Sequence, residues 1–135
     1  MKIEGGCYCG AVRYAAEAEP QLRAQCHCRE CQYISGGGPN PVMGLPDAAF
    51  HYVKGTPKRF SRSDLPSPVT REFCGDCGTP LTSRTPAIPG MVLLKAGSLD
   101  QTSIFGKPDF AVFTIDKPSW HGVVEGLPGF ERMPG

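Results

Sequence analysis

The chain has 135 residues, with 14 Lys+Arg against 13 Asp+Glu and a formal net charge of +1, which gives no electrostatic case for wrapping a phosphate backbone. Hydrophobic residues make up 40%, enough for one core but short of two domains of normal size. The 17 Gly and 14 Pro, about twice the usual combined share of roughly 12%, are interleaved with apolar runs and exclude a long-helix protein.

In chain order, Ala11 to Ala16 opens the first clear strand, after the turn-like Cys9-Gly10. A second runs from Gln21 to Cys26, entered from Pro20. Arg29 to Ile34 offers one or two helical turns before Gly36-Gly37-Gly38 ends them. Phe50 to Val53 and Lys58 to Ser61 flank Gly55-Thr56-Pro57 and read as a hairpin. Val69 to Cys74 alternates with period two, as a half-buried strand should, and Leu81 to Arg84 follows. Met91 to Lys95 and Phe110 to Ile115 are continuous apolar runs, expected in the middle of a sheet buried on both faces. Asp100 to Phe105 is a weaker helix candidate. From Lys117 onward, prolines and glycines suggest an extended tail. The expected fold class is mainly β, a single domain over residues 1–135 of short antiparallel strands and few short helices. Its core spans about 3–120 and its tail 121–135.

No stretch approaches the roughly 18 apolar residues that span a bilayer, and the opening Met1 to Cys7 has no apolar secretory region. The expected compartment is therefore cytoplasmic, with no membrane and no nucleic-acid partner. Disulfides rarely persist there, so seven cysteines need another reason. Their spacing supplies one: Cys7-x-Cys9, Cys26-x-Cys28-x2-Cys31 and Cys74-x2-Cys77.

Tetrahedral zinc takes four ligands in a closed structural site, and three plus an open position in a catalytic one. Cys7, Cys9, Cys74 and Cys77 would make a four-thiolate staple, and Cys26, Cys28 and Cys31 a second, open site. Cys74-Gly75-Asp76-Cys77-Gly78 is the strongest signal: a knuckle whose backbone N–H groups point at sulfur and whose Gly78 takes positive φ. Cys9-Gly10 offers the same device. Other readings stay open at this point: buried free thiols, an iron–sulfur cluster, a single zinc held by the triplet, or redox use of Cys28-x2-Cys31.

Three thiolates around Zn²⁺ leave a charge of −1, which disfavours a bound hydroxide and suits a sulfur ligand. Capture of a small thiol, which then adds to or leaves from an electrophilic carbon, is the chemistry this ligand set prefers.

The segments Gly6-Cys7-Tyr8-Cys9-Gly10, Cys26-His27-Cys28-Arg29-Glu30-Cys31 and Phe73-Cys74-Gly75-Asp76-Cys77-Gly78 resemble the three signatures of the glutathione-dependent formaldehyde-activating enzyme family, also called the centromere protein V domain family. The likeness runs from about Ile3 to Trp120. It implies a zinc-stapled β-tent fold and two zinc ions per chain: a structural one on Cys7, Cys9, Cys74 and Cys77, and a catalytic one on Cys26, Cys28 and Cys31. It also implies a carbon–sulfur lyase activity, joining formaldehyde to glutathione as S-hydroxymethylglutathione. Glutathione carries two carboxylates, for which Arg29, Arg71 and Lys95 are available.

The remaining candidates have plainer readings. His27 sits between two ligands, but in an extended Cys-x-Cys segment its side chain points away from the metal; packing outweighs proton transfer. His51 reads as a strand-face residue, and Trp120 with His121 as a pocket rim or a tail anchor. Gly36-Gly37-Gly38-Pro39 is either a lid or a plain connection, and Glu30 reads as solvated surface. Two competing functions remain: a non-catalytic zinc-stapled interaction module, and a redox enzyme of the methionine-sulfoxide-reductase kind with one zinc and a reactive thiol.

Overall fold

The computed structural model describes residues 1–134. It is mainly β, with ten strands, one α-helix and four short 3₁₀ turns among those residues. Strands β1 (Lys2–Gly6), β2 (Arg13–Glu17) and β5 (Phe50–Lys54) form a three-stranded antiparallel sheet in the order β1-β2-β5. The other seven form a larger sheet: β3 (Leu22–Cys26), β4 (Asn40–Pro46), β6 (Lys58–Phe60), β7 (Thr70–Phe73), β8 (Pro80–Arg84), β9 (Met91–Lys95) and β10 (Phe110–Val112). Their order is β10-β3-β4-β9-β8-β7-β6, antiparallel except where β10 runs parallel to β3.

The core lies between the two sheets. Ile3, Tyr14 and Phe50 come from the small sheet and meet Met43, Leu45, Val92 and Leu94 of the large one. Tyr14 stacks on Phe50 at 5.3 Å between ring centroids, and Phe50 meets Tyr52 edge-on at 5.1 Å. Because strand side chains alternate, Asn40, Val42, Leu93 and Lys95 point to the opposite, outward face.

Most expected strands stand within a residue or two of their bounds, and Met91–Lys95 sits at the centre of the large sheet, as its apolar run predicts. Three expectations need correction. β5 and β6 do not pair as a hairpin; they belong to different sheets. Gly55, at φ +70°, packs so tightly on Ala11 that a Cβ would stand 2.1 Å from the Ala11 carbonyl oxygen, which keeps β5 on β2 while the chain crosses over. β10 is an edge strand and ends at Val112; its outer side is covered by the tail, through Ala111 N–H to Pro128 O at 2.8 Å and Phe130 N–H to Ala111 O at 2.9 Å. Asp100 to Phe105 holds only a 3₁₀ turn over Thr102–Ile104. Strand β4 escapes a propensity reading because Pro41, Gly44 and Pro46 interrupt it, yet it lies between β3 and β9.

Candidate metal centres

Cys7 and Cys9 follow β1, and Cys74 and Cys77 occupy the turn between β7 and β8. Their four sulfurs lie within 4.8 Å of one another. Cys7 Sγ is 3.6 Å from Cys9 Sγ, which is 3.8 Å from Cys74 Sγ, and no cysteine is in a disulfide. A tetrahedral ion with metal–sulfur bonds of about 2.3 Å needs sulfurs about 3.8 Å apart, so these thiols are already spaced as its ligands. The knuckle is built twice. Val12 N–H donates to Cys7 Sγ at 3.2 Å, and Asp76 and Cys77 N–H both donate to Cys74 Sγ at 3.4 Å. Gly10 (φ +82°) and Gly78 (φ +80°) close the two turns in the left-handed conformation that glycine adopts freely. Tyr8 N–H donates to Thr79 Oγ1 at 3.1 Å, tying one knuckle to the other.

The second group is assembled at the junction of β3 and the helix α1 (Arg29–Ser35). Cys26 ends the strand, Cys28 caps the helix by accepting Cys31 N–H at 3.3 Å, and Cys31 lies in the first turn. Gly36, left-handed at φ +81°, ends the helix where the glycine run predicts. The three sulfurs again lie within 4.8 Å of one another. Asn40, buried on β4, donates its Nδ2 to Cys31 Sγ at 3.3 Å. Hydrogen bonds from Cys26 and Cys28 hold the Cys31 thiol down to about 2, while Cys28 and Cys31 push Cys26 up. Full ionisation of all three calls for a bound metal ion.

The second group opens onto a cavity. Cys26, Cys28 and Cys31 line a space of about 620 Å³ on the outward face of the large sheet, and none of the other four cysteines does. Arg29, Arg71 and Lys95 all line it, which brings together three cations far apart in sequence. Two are already engaged: Arg71 pairs with Glu30 at 3.0 Å, and Arg29 bonds Gln32 and lies 4.9 Å over the Tyr33 ring. Lys95 is 7% exposed, and among the described residues its Nζ meets only Ser83 Oγ, at 3.3 Å. Burial pulls its pKa down to about 8, against the opposing pull of Cys31. Asn40 and Ser83 line the cavity without being singled out by sequence reasoning, which names Lys95 but not its burial; register gathers the three. Val42 pairs with Lys95, and Cys26 with Asn40.

His27 is fully buried and does not line the cavity. Its Nδ1 lies 2.8 Å from Nδ1 of His121, whose Nε2 reaches Gly37 O at 2.6 Å. The glycine run is therefore clipped from beneath by His121, with Trp120 packed edge-on against that ring at 4.7 Å. His51 is exposed on β5. Glu30 departs from a purely solvated role, since it lines the cavity in its pair with Arg71.

The family model described as glutathione-dependent formaldehyde-activating enzyme matches residues 2–116. The chain belongs to this family. A Halomonas elongata protein, whose name provisionally calls it a glutathione-dependent formaldehyde-activating enzyme, is 31% identical over 127 residues, covering 89% of this chain and 80% of its own. The fold is similar to the crystal structure of a Rhodobacter sphaeroides protein, a Northeast Structural Genomics target, with a TM-score of 0.62 and 16% identity over 94% of this chain and 98% of that one. No helix among the described residues is long and apolar enough to cross a membrane.

Proposed function

We propose that this chain is a zinc-dependent enzyme of the carbon–sulfur lyase type, acting in the cytoplasm on a small thiol such as glutathione and on formaldehyde or a similar electrophile. In this reading residues 1–135 form one domain with two zinc sites: a structural one on Cys7, Cys9, Cys74 and Cys77, and a catalytic one on Cys26, Cys28 and Cys31. The observation that carries it is the asymmetry of the two thiol groups, since three sulfurs face a cavity and four do not. Family membership supports it independently.

Zinc on the three thiolates supplies a soft position for a fourth sulfur. The chain's own residues do the rest. Asn40 Nδ2 and the Cys31 N–H orient and partly neutralise two of the ligand sulfurs. Lys95 Nζ, held by one hydroxyl, has donors left for the carbonyl oxygen as negative charge develops there. Arg29 and Arg71 at the same wall suit the carboxylates of the thiol. The apolar walls limit water around the reacting carbon.

One feature favours a redox reading: Cys28-x2-Cys31 lies at a helix start with Cys31 in its first turn. Metal content per chain, measured by plasma mass spectrometry on anaerobically purified protein, separates the readings. Two zinc per chain, with faster addition of glutathione to formaldehyde than in buffer, is the expected result. One zinc, not raised by added metal, together with no turnover, would sink the proposal in favour of a redox enzyme or a zinc-stapled interaction module.

A further inference from the structure

The outward face of a sheet packed on one side is normally polar. Here that face carries Leu22, Ala24, Val42, Leu93, Phe110 and Val112, none of which belongs to the core between the sheets. Register orders them into rows. Val112, Cys26 and Asn40 form the row of the three-cysteine group; Phe110, Ala24, Val42 and Lys95 form the next. Leu22, Gly44, Leu93 and Ser83 make the third. Rows two residues apart stand about 6.6–6.8 Å from each other, so the apolar floor begins beside the thiols. Gly44 lets Leu22 and Met91 settle over its backbone, since a Cβ there would meet Met91 Sδ at 2.5 Å and Leu22 Cγ at 2.8 Å.

The facing wall includes Met133 and Pro134 of the tail, beyond the residues 2–116 that the family model matches. Phe113 N–H donates to Arg132 O at 3.2 Å, and Phe130 meets Phe110 edge-on at 5.9 Å, which holds the tail in place. Formaldehyde has no side chain to lay on such a floor, and glutathione is a polar peptide with charged ends. An apolar surface inside a cavity of about 620 Å³ marks a ligand site that neither compound fills.

We propose that the cavity takes a carbonyl compound bearing an apolar substituent, which lies on Leu22, Ala24, Val42 and Leu93 while its carbonyl carbon meets the thiol at the three-cysteine site. This rests on the function proposed above. In the reaction a carbon–sulfur bond forms from the thiol sulfur, the carbonyl π pair moves to oxygen, and that oxygen takes the proton the thiol gives up. The reverse breaks the same bond and returns the proton, and nothing is oxidised or reduced.

Titration calorimetry of the zinc-loaded protein with S-methylglutathione and S-hexylglutathione tests the proposal, alongside turnover of glutathione with formaldehyde and with hexanal. Affinity is expected to rise about fourfold per buried methylene, and kcat/KM for hexanal to exceed that for formaldehyde. Leu22→Asn should remove much of the S-hexyl gain, and Ala24→Leu, which fills the floor, should turn the preference back toward the short chain. Zinc content and circular dichroism check that both variants fold. Equal affinity for the two ligands, or a preference for formaldehyde over hexanal, would overturn the inference, even where formaldehyde turnover upholds the proposed function. A chain-length gain without turnover of any aldehyde would uphold the apolar site and remove the proposed function instead.

Discussion

The four-cysteine and three-cysteine groups are made of the same atoms at similar separations, yet they stand in opposite relations to the fold. The first closes on itself: two glycine-ended knuckles, joined by Tyr8 and Thr79, surround the sulfurs with backbone N–H groups, away from the cavity. The second is open: its three cysteines line the cavity, together with the Asn40 that donates to Cys31. The difference teaches that ligand number sets what a thiolate metal site can do. A full shell holds chain segments together, whereas an incomplete one leaves a position for chemistry.

The largest expected effect separates the two directly. Cys77→Ala should abolish soluble folded protein, because structural zinc contributes on the order of 10 kcal/mol to folding in small domains. Recovery of a well-folded Cys77→Ala protein would dissolve the contrast. Cys28→Ala should instead keep the fold, lower metal content from two zinc per chain to one, and cut turnover by about 10³-fold or more. Loss of the circular dichroism signal in Cys28→Ala would show that both groups are structural.

Lys95→Met tests the open side alone. A donor to a developing oxyanion is worth about 10²–10³ in kcat, so kcat/KM should fall by roughly 10²-fold with zinc content unchanged. Lys95 offers a positive charge to the oxyanion only while protonated, and burial lowers its pKa to about 8, so activity should be highest below that value and decline as pH rises through it. Lys95→Arg should shift that decline upward, and an identical pH profile in Lys95→Arg would exclude the role.

The smallest effect concerns the strand that joins the two regions. On β7, Arg71 faces the cavity while the adjacent Glu72 is 4% exposed and turned the other way. Glu72 accepts from Thr82 at 2.8 Å, from Arg59 at 3.0 Å and from Tyr52 at 3.1 Å, and pairs with Arg84. Glu72→Ala removes the buried acceptor these groups share, although Tyr52 and Thr82 still bond each other and Arg84 keeps Asp47, so the expected cost is about 1–3 kcal/mol in urea unfolding. Metal content should not change; a loss of zinc would place Glu72 within the four-cysteine unit.

Much of this was legible along the chain where the signal is local. Cys-x2-Cys-Gly requires a knuckle whatever surrounds it, and Gly10, Gly36 and Gly78 stand at positive φ where turn chemistry needs them. Readings that depend on partners fared differently. The stretch around Gly55 looks like a hairpin loop, yet the two strands part because Gly55 is pressed against Ala11. Glycine and proline hide β4 from a propensity reading, although packing and ladder bonds on both sides make it a central strand.

By itself the sequence determined the mainly β class, the cysteine clusters and the soft-metal chemistry they prefer, because each rests on residue type and spacing within a few positions. Only the tertiary structure decided which group faces a cavity, which cation there pairs with a carboxylate, and that the outward face beside the thiols is apolar. Those features come from the register of strands remote in sequence. Shifting β4 by a single residue would turn Asn40 and Val42 to the other face of the sheet, a shift of β9 would do the same to Lys95, and no local pattern records that choice.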